Sequence, residues 1–187
     1  MGTPPVDQQA AYLAKIDSAG NWQWVLGYSS GSFANEFYGL AVDALDRVYV
    51  TGWVNGDSSD AIYRKDGTKF TSGYGVIGDR SAMVARIKPD GTWGTPQDKQ
   101  IRFFETAGGA FNSRGSSVLF TKGKLYLALE YNADCRCSGD NGLTATKQGT
   151  AGTGNDIGLF EFRADLGAVE EVATYTANGR LCRRKMG

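Results

Sequence analysis

The sequence of 187 residues contains no histidine, only 4 prolines and only 3 cysteines. Without histidine the chain cannot build a Ser-His-Asp or Cys-His triad, a His-ligated zinc site or a histidine pH switch. Its 20 basic and 20 acidic residues balance to a net charge of zero, which argues against a general nucleic-acid or anionic-membrane surface. No apolar run approaches the roughly 18 residues that a membrane helix needs. We therefore expect no nucleic-acid partner and no membrane insertion. The first residues also lack the charged and apolar regions of a signal peptide.

Glycine and aromatic residues are both frequent, with 26 glycines and 12% Phe, Trp and Tyr. That much ring surface indicates a buried core. Apolar residues come in short runs broken by Asp, Asn and Gly, and no stretch keeps the 3.6-residue period of a helix. The sequence therefore predicts an all-β fold. Because the cysteines, Cys135, Cys137 and Cys182, are odd in number, we interpret them as incidental, with a long-range pairing to Cys182 as the alternative.

Two sequence patterns recur and together define a repeating unit. The segment 11–22, which begins Ala-Tyr-Leu-Ala-Lys-Ile-Asp, returns as 82–93, and a weaker copy lies at 158–167. The segment 38–52, which contains Val-Tyr-Val-Thr-Gly, is matched by 114–129, which contains Leu-Tyr-Leu-Ala-Leu. Each pattern reads as two short strands joined by a turn rich in Asp or Gly, so each predicts a β-hairpin.

The predicted hairpins occupy residues 11–28, 38–54, 81–104, 115–131 and 156–176. A linker (1–10) precedes them, a basic tail (177–187) follows, and long insertions (55–80 and 132–155) separate the two hairpins of each full unit. Several strands are apolar on both faces, which requires cover on both sides. The sequence therefore favours a β-propeller-type stack of four-stranded antiparallel blades over a sandwich.

At these residues the chain resembles the bacterial β-propeller proteins with seven-bladed-propeller (SBBP) repeats. Their pattern is met by Gly-Leu-Ala-Val-Asp at 39–43, Val-Tyr-Val-Thr-Gly at 48–52 and Ala-Tyr-Leu-Ala-Lys-Ile-Asp-Ser-Ala-Gly at 11–20. The copy at 82–91 also resembles the related delta-60 repeat. The resemblance implies a half blade, then a blade over 38–104 and a blade over 115–176, or about two and a half blades of a partial propeller.

The resemblance also implies a secreted or cell-surface bacterial protein. Closed propellers have four or more blades, so further blades would come from a longer parent chain or from self-association, and an open arc of sheets is the alternative. The part that this family shares is structural, so the resemblance implies no catalytic residues.

In a propeller, the connections 28–36, 55–80, 105–114 and 132–156 would emerge on one face, where we expect a binding site. The aromatic and charged residues expected to contact a ligand there are Trp53, Tyr63, Tyr74, Tyr131, Glu36, Glu105 and Arg114. Among the tryptophans, Trp53 is the expected exposed ring. Trp22 and Trp93 hold the same repeat position, so both are expected in the core.

Both insertions contain carboxylate oxygens of the kind that calcium binds. The candidate metal ligands are Asp57, Asp60, Asp66 and Asp140. Neither insertion fits the Asp-x-Asp-x-Asp-Gly loop, and Asp-Gly sequences are also good turns. Turn formation is the simpler interpretation, calcium is the alternative, and no other cofactor is expected.

With no transferable catalytic set, we expect a non-enzymatic binding or scaffold module that presents loops on one face to a protein or glycan. One alternative is a glycan-cleaving propeller that uses paired carboxylates. Its candidate residues are Glu36, Asp43, Glu105 and Glu130, although Asp43 is better interpreted as a turn residue. A second alternative is a structural segment that self-assembles through exposed blade faces.

Overall fold

The computed structural model describes residues 10–29, 34–55, 61–63, 69–70, 80–93, 100–106, 112–137, 144–148, 153–166, 169–176 and 181–184. Within these ranges the chain forms β-strands and turns, and no helix. The prediction of an all-β fold with antiparallel sheets is confirmed. Nothing helical in these ranges is long and apolar enough to cross a bilayer.

The described strands, in chain order, are β1 (Ala11–Ile16), β2 (Trp22–Ser29), β3 (Glu36–Val42), β4 (Val48–Val54), β5 (Ala61–Tyr63), β6 (Lys69–Phe70), β7 (Ser81–Ile87), β8 (Ile101–Thr106), β9 (Ser113–Thr121), β10 (Lys124–Tyr131), β11 (Cys135–Cys137), β12 (Thr144–Ala145), β13 (Asp156–Arg163), β14 (Val169–Tyr175) and β15 (Leu181–Arg184). Antiparallel pairs form between β1 and β2, β3 and β4, β7 and β8, β9 and β10, and β13 and β14. These pairs fall in the segments for which the sequence predicts hairpins.

The strands form three sheets. The first sheet has the order β1-β2-β5-β6, the middle sheet β3-β4-β7-β8-β11-β12 and the third sheet β9-β10-β13-β14-β15. The middle and third sheets are therefore larger than the four strands predicted for each blade. The added strands are β11 and β12 of the second insertion and β15 of the tail. They can pair there because the outermost strand of a four-stranded sheet leaves a row of free backbone N–H and C=O groups.

Aspartate side chains shape the turns of the hairpins. Oδ1 of Asp43 accepts hydrogen bonds from the backbone N–H of Leu45 (2.9 Å) and Arg47 (3.1 Å). Asp46 completes this turn in the left-handed region, with φ of 58°. Asp17 accepts the N–H of Ala19 in the same way. Asp43 is thus a structural turn residue, and the geometry gives it no free carboxylate oxygen at a ligand site.

Two hydrophobic clusters separate the three sheets, and all seven residues of β4 are buried between them. Val48, Val50 and Val54 face the first sheet, whereas Tyr49 faces the third sheet and stacks on Phe120 with ring centroids 5.2 Å apart. The cluster towards the first sheet includes Trp24, Leu26, Tyr28, Met83, Ala85, Ile87 and Phe103. The cluster towards the third sheet includes Ala82, Val84, Phe104, Leu125, Leu127, Leu129, Phe160 and Phe162, with Cys135 and Cys137. Strands β4 and β7 of the middle sheet are therefore covered on both faces, which explains why they are apolar on both faces.

The two tryptophans at the same repeat position have different surroundings. Trp93 is buried (3% exposed) and its ring lies 6.4 Å from that of Phe37. Trp22 is 55% exposed, so the expectation that it lies in the core is wrong. Trp93 belongs to the middle sheet, which has a neighbour on each side, whereas no sheet in the described part of the chain covers the outer face of the first sheet.

Candidate functional site

A polar cavity of about 330 Å³ lies at one edge of the middle and third sheets. At this edge β3 and β9 begin and β4 and β10 end, because neighbouring strands are antiparallel. The middle sheet and its flanks contribute Ala34, Glu36, Tyr38, Trp53 and Arg80. The third sheet and its flanks contribute Asn112, Ser113, Arg114, Glu130, Asn132 and Asn155. We call this cavity the edge pocket.

One wall of the edge pocket is a chain of hydrogen bonds through aromatic side chains. Nε1 of Trp53 donates to the hydroxyl oxygen of Tyr38 at 3.0 Å, and that hydroxyl donates to the Glu36 carboxylate. The Arg80 guanidinium lies 4.6 Å from the centre of the Trp53 ring, a cation–π contact. Trp53 is therefore only 5% exposed, and Tyr38 is the exposed ring at 45%.

The opposite wall is built around the carboxylate of Glu130. Nη2 of Arg114 lies 2.9 Å from Oε1 and 2.7 Å from Oε2 of Glu130, and Oγ of Ser116 donates to Oε1 at 2.6 Å. Burial alone would raise the pKa of Glu130, but the hydrogen bonds from Ser116 and Arg114 and the Arg114 charge bring it below its ordinary value. Glu130 is therefore held as an anion near neutral pH.

Arg114 connects the two walls. It belongs to the third sheet, and its guanidinium lies 5.3 Å from the centre of the Tyr38 ring in the middle sheet. The hydrogen bonds to Glu130, with the charge of that carboxylate, raise the pKa of Arg114. Arg114 thus stays charged and positions Tyr38 and Glu130 relative to each other.

Backbone contacts fix the base of the edge pocket. Ser113 donates its N–H to the Arg80 carbonyl (2.9 Å) and its hydroxyl to the Phe104 carbonyl (2.6 Å), while its Oγ accepts the Ala82 N–H (2.8 Å). Asn132 Oδ1 accepts the N–H of Asn112 at 2.8 Å. These bonds join the middle and third sheets at the pocket, so its lining is held in a defined shape.

Of the predicted ligand-binding residues, Glu36, Trp53 and Arg114 line the edge pocket. Tyr131 ends β10 beside it, but its side chain is fully buried and cannot present a face to a ligand. Tyr63 lies in β5 opposite Gly27 of the first sheet. Tyr74 lies outside the described residues.

Glu105, the remaining predicted residue, does not line the edge pocket. It lies in β8, opposite Arg136 of β11. Burial raises the pKa of Glu105, and the charge of Arg136 partly offsets that increase.

The candidate calcium ligands Asp57, Asp60, Asp66 and Asp140 all lie outside the described residues. Across the ranges that are described, no three His, Cys, Asp or Glu side chains come together as a metal site would require.

The sequence interpretation did not single out Tyr38, Arg80 and the three asparagines as site residues, and it considered Glu130 only as a catalytic carboxylate. One signal was available, because each of these residues lies at or next to the end of a strand that borders a variable segment. Tyr38 comes directly before Gly39, and Arg114 comes directly before Gly115 in the second copy of the repeat. The two residues that meet across the pocket therefore hold the same repeat position.

A buried ion pair anchors the second insertion next to the edge pocket. Nζ of Lys147 lies 2.9 Å from Oδ1 of Asp156, with side-chain exposures of 4% and 0%. Asp156 Oδ2 also accepts the N–H of Gln148 (2.6 Å), and Asp134 accepts the N–H of Lys147 (2.7 Å). The described part of the insertion is therefore held by specific polar contacts.

No protein-family model and no curated protein matches this chain.

The edge pocket has balanced charge and many hydrogen-bonding groups. Two guanidinium groups and two carboxylates face it together with three side-chain amides and the ring of Tyr38. Side-chain amides can donate to hydroxyl groups or accept from them, and carboxylates can accept from them, while an exposed ring supplies apolar contact area. Such a lining is suited to a neutral ligand with several hydroxyl groups.

Proposed function

We propose that the chain is a non-enzymatic binding module whose edge pocket holds a neutral sugar unit of a glycan. The observation that carries this proposal is the pairing of Tyr38, an exposed ring, with the fixed polar groups of Glu36, Arg114 and Glu130. The cavity volume of about 330 Å³ lies at the lower end of the range for small-ligand sites.

The pKa values of the carboxyl groups favour glycan binding over glycan cleavage. A glycosidase needs one carboxyl group with a raised pKa as acid and a second carboxylate facing the same bond. Glu130 has a lowered pKa and accepts hydrogen bonds from Arg114 and Ser116. Glu105 has a raised pKa but is not part of the edge pocket. Glu130, which lines the edge pocket, is therefore unsuited to the role of the acid.

We further propose that the sheets are successive blades of a β-propeller. Three observations support this arrangement: the sequence repeat, the consecutive antiparallel strands β3-β4-β7-β8, and the cover on both faces of β4 and β7. The resemblance to SBBP repeat proteins supports placement of the protein outside the cell or on its surface. A crystal structure in which β3 and β9 do not border a common central axis would contradict the propeller.

The binding proposal can be tested with an array of defined neutral glycans, followed by calorimetry on the strongest binder. We expect Tyr38→Ala to weaken binding by about tenfold or more, or about 1.4 kcal/mol. Tyr12→Ala is the matched control, because Tyr12 is equally exposed (46%) and does not line the edge pocket. An array without binders, or binding that survives Tyr38→Ala, would refute the proposal. Hydrolysis of the bound glycan would instead support the enzymatic alternative.

A further inference from the structure

Strand β1 is the outermost strand of the first sheet, whereas the equivalent strands of the other two sheets have a neighbour on each side. By the sequence repeat, β1 corresponds to β7 and β13. In the middle sheet β7 pairs with β4 and β8, and in the third sheet β13 pairs with β10 and β14. In the described part of the chain, β1 pairs with β2 alone. Its other edge therefore presents N–H and C=O groups that can pair with a further strand.

A second difference involves Leu40 of β3 and Val118 of β9, which are equivalent by strand register. Leu40 pairs with Val50, and Val118 pairs with Leu127. Val50 and Leu127 each follow the tyrosine of the repeat. Val118 is 7% exposed, whereas Leu40 is 54% exposed, and Val42 on the same face of β3 is 51% exposed. This face is therefore covered by another part of the protein in the third sheet, whereas at β3 of the middle sheet the same face has no such cover in the described part of the chain.

The element that covers Val118 is the β3–β4 hairpin of the middle sheet. Both β3 and β4 pack on β9, with Tyr49 stacked on Phe120 at 5.2 Å. In the same unit, β4 pairs with β7. One hairpin therefore does two things at once: it completes the sheet to which β7 belongs, and it covers the next sheet.

We propose that the open edge of β1 and the adjoining face of Leu40 and Val42 form a docking site for one β-hairpin supplied by a partner polypeptide. The partner hairpin has the sequence pattern of β3–β4: a first strand with Gly-x-Ala-Val-Asp, a turn, and a second strand that is apolar on both faces. Its second strand pairs antiparallel with β1, as β4 pairs with β7. Its outer face covers Leu40 and Val42, as β3–β4 covers Val118. Because β1 and β3 are in contact, one hairpin can reach both features.

The probe for this site is a fluorescent peptide with the sequence of residues 36–54, titrated against the full chain and followed by anisotropy. We expect saturable binding that Leu40→Lys weakens at least tenfold. Leu119→Lys is the matched control, because Leu119 is equally exposed (58%) but lies on the outer face of the third sheet. A peptide with proline in place of Val50 should not bind, since proline cannot donate to a strand ladder. Amide exchange of the complex should show new protection in β1.

Several results would overturn the proposal. Binding that is insensitive to Leu40→Lys, or equal for the proline peptide, would show that the peptide does not dock on this face. New protection in β7 rather than β1 would mean that the peptide displaces β4 from the middle sheet. Concentration-dependent dimers of the chain that protect β1 would assign the site to a second copy. Binding that appears only after deletion of residues 1–9 would assign it to the N-terminal segment.

Discussion

A Cβ atom on Gly115 would lie 1.9 Å from Oγ1 of Thr51, so the side chain of Thr51 fills the space that any larger residue at position 115 would need. Thr51 cannot easily move away, because its hydroxyl donates to the carbonyl of Met83 at 2.7 Å in a fully buried position. The middle and third sheets therefore approach each other closely at a glycine, one residue from Arg114 of the edge pocket.

We expect Gly115→Ala to lower the free energy of unfolding by about 2 kcal/mol, because the added methyl group forces the sheets apart. Removing the obstructing hydroxyl with Thr51→Ala should relieve that clash, so the double variant should lose less stability than the two single variants together. Urea denaturation measures all three. Ser117→Ala, an exposed change in the same strand, is the control, and strictly additive losses would contradict the clash.

The ion pair of Lys147 and Asp156 should be costly to break. Asp156→Asn leaves a buried ammonium without its counter-ion, so we expect stability to fall by about 3–5 kcal/mol. The double variant Lys147→Met/Asp156→Leu should recover much of this loss, because no charge then remains buried. The exposed pair of Arg163 and Asp165 is the control: Asp165→Asn should change stability by about 1 kcal/mol or less. Similar losses for both aspartate variants would rule out a special role for the buried pair.

Acid should destabilise the protein in part through Asp43. Burial raises the pKa of Asp43, but hydrogen bonds from the side chain and backbone of Arg47 and from Leu45 and Tyr49 bring it below its ordinary value. The folded state therefore binds a proton here less readily than the unfolded state. The resulting stability is present above the unfolded pKa and is lost as the pH falls through the folded pKa.

We accordingly expect urea denaturation to show a smaller decrease in stability between pH 5 and about pH 3 for Asp43→Asn than for the unaltered protein. Asp43→Asn should also be less stable at neutral pH. Asp46→Asn removes an exposed carboxylate from the same turn and should retain the steeper pH dependence. An unchanged slope in Asp43→Asn would show that other carboxylates account for the loss in acid.

Trp53 is a positioning residue, because its indole N–H fixes the hydroxyl of Tyr38. Trp53→Phe keeps a ring beneath Arg80 but loses the donor and part of the buried ring, so we expect a stability loss of about 2 kcal/mol and weaker binding of the glycan. The control is Trp22→Phe, since Trp22 is exposed and its change should stay within about 0.5 kcal/mol. Full glycan affinity in Trp53→Phe would show that Tyr38 is held by its other contacts.

Local sequence signals were sufficient for the strands but not for the pocket. The turn at Asp43 is formed by its own carboxylate and nearby backbone groups, and Tyr49 recurs as Tyr126, so the local sequence places the strands that these residues mark. The contact of Tyr49 with Phe120 depends instead on how the sheets pack. Trp53 was expected to be exposed because Trp22 and Trp93, which share a repeat position, were assigned to the core. Its burial depends on Arg80, which is the last residue of the first insertion, and no local pattern records that contact.

The same limit applies to the insertions. The pairing of β11 with β8 joins segments about thirty residues apart, and the contact of Lys147 with Asp156 depends on how that insertion folds back. Neither follows from hydrophobic alternation, because a short strand of Cys-Arg-Cys carries little periodic signal. The additional strands and the buried ion pair were therefore missed for the same physical reason.

The edge pocket draws its two walls from different sheets, and this has a mechanical consequence. A ligand bound between Tyr38 and Glu130 contacts both sheets, so its binding free energy opposes separation of the sheets. A bound ligand would thus stabilise the contact between the middle and third sheets, and the ligand-bound protein should resist stretching and proteolysis there better than the ligand-free protein.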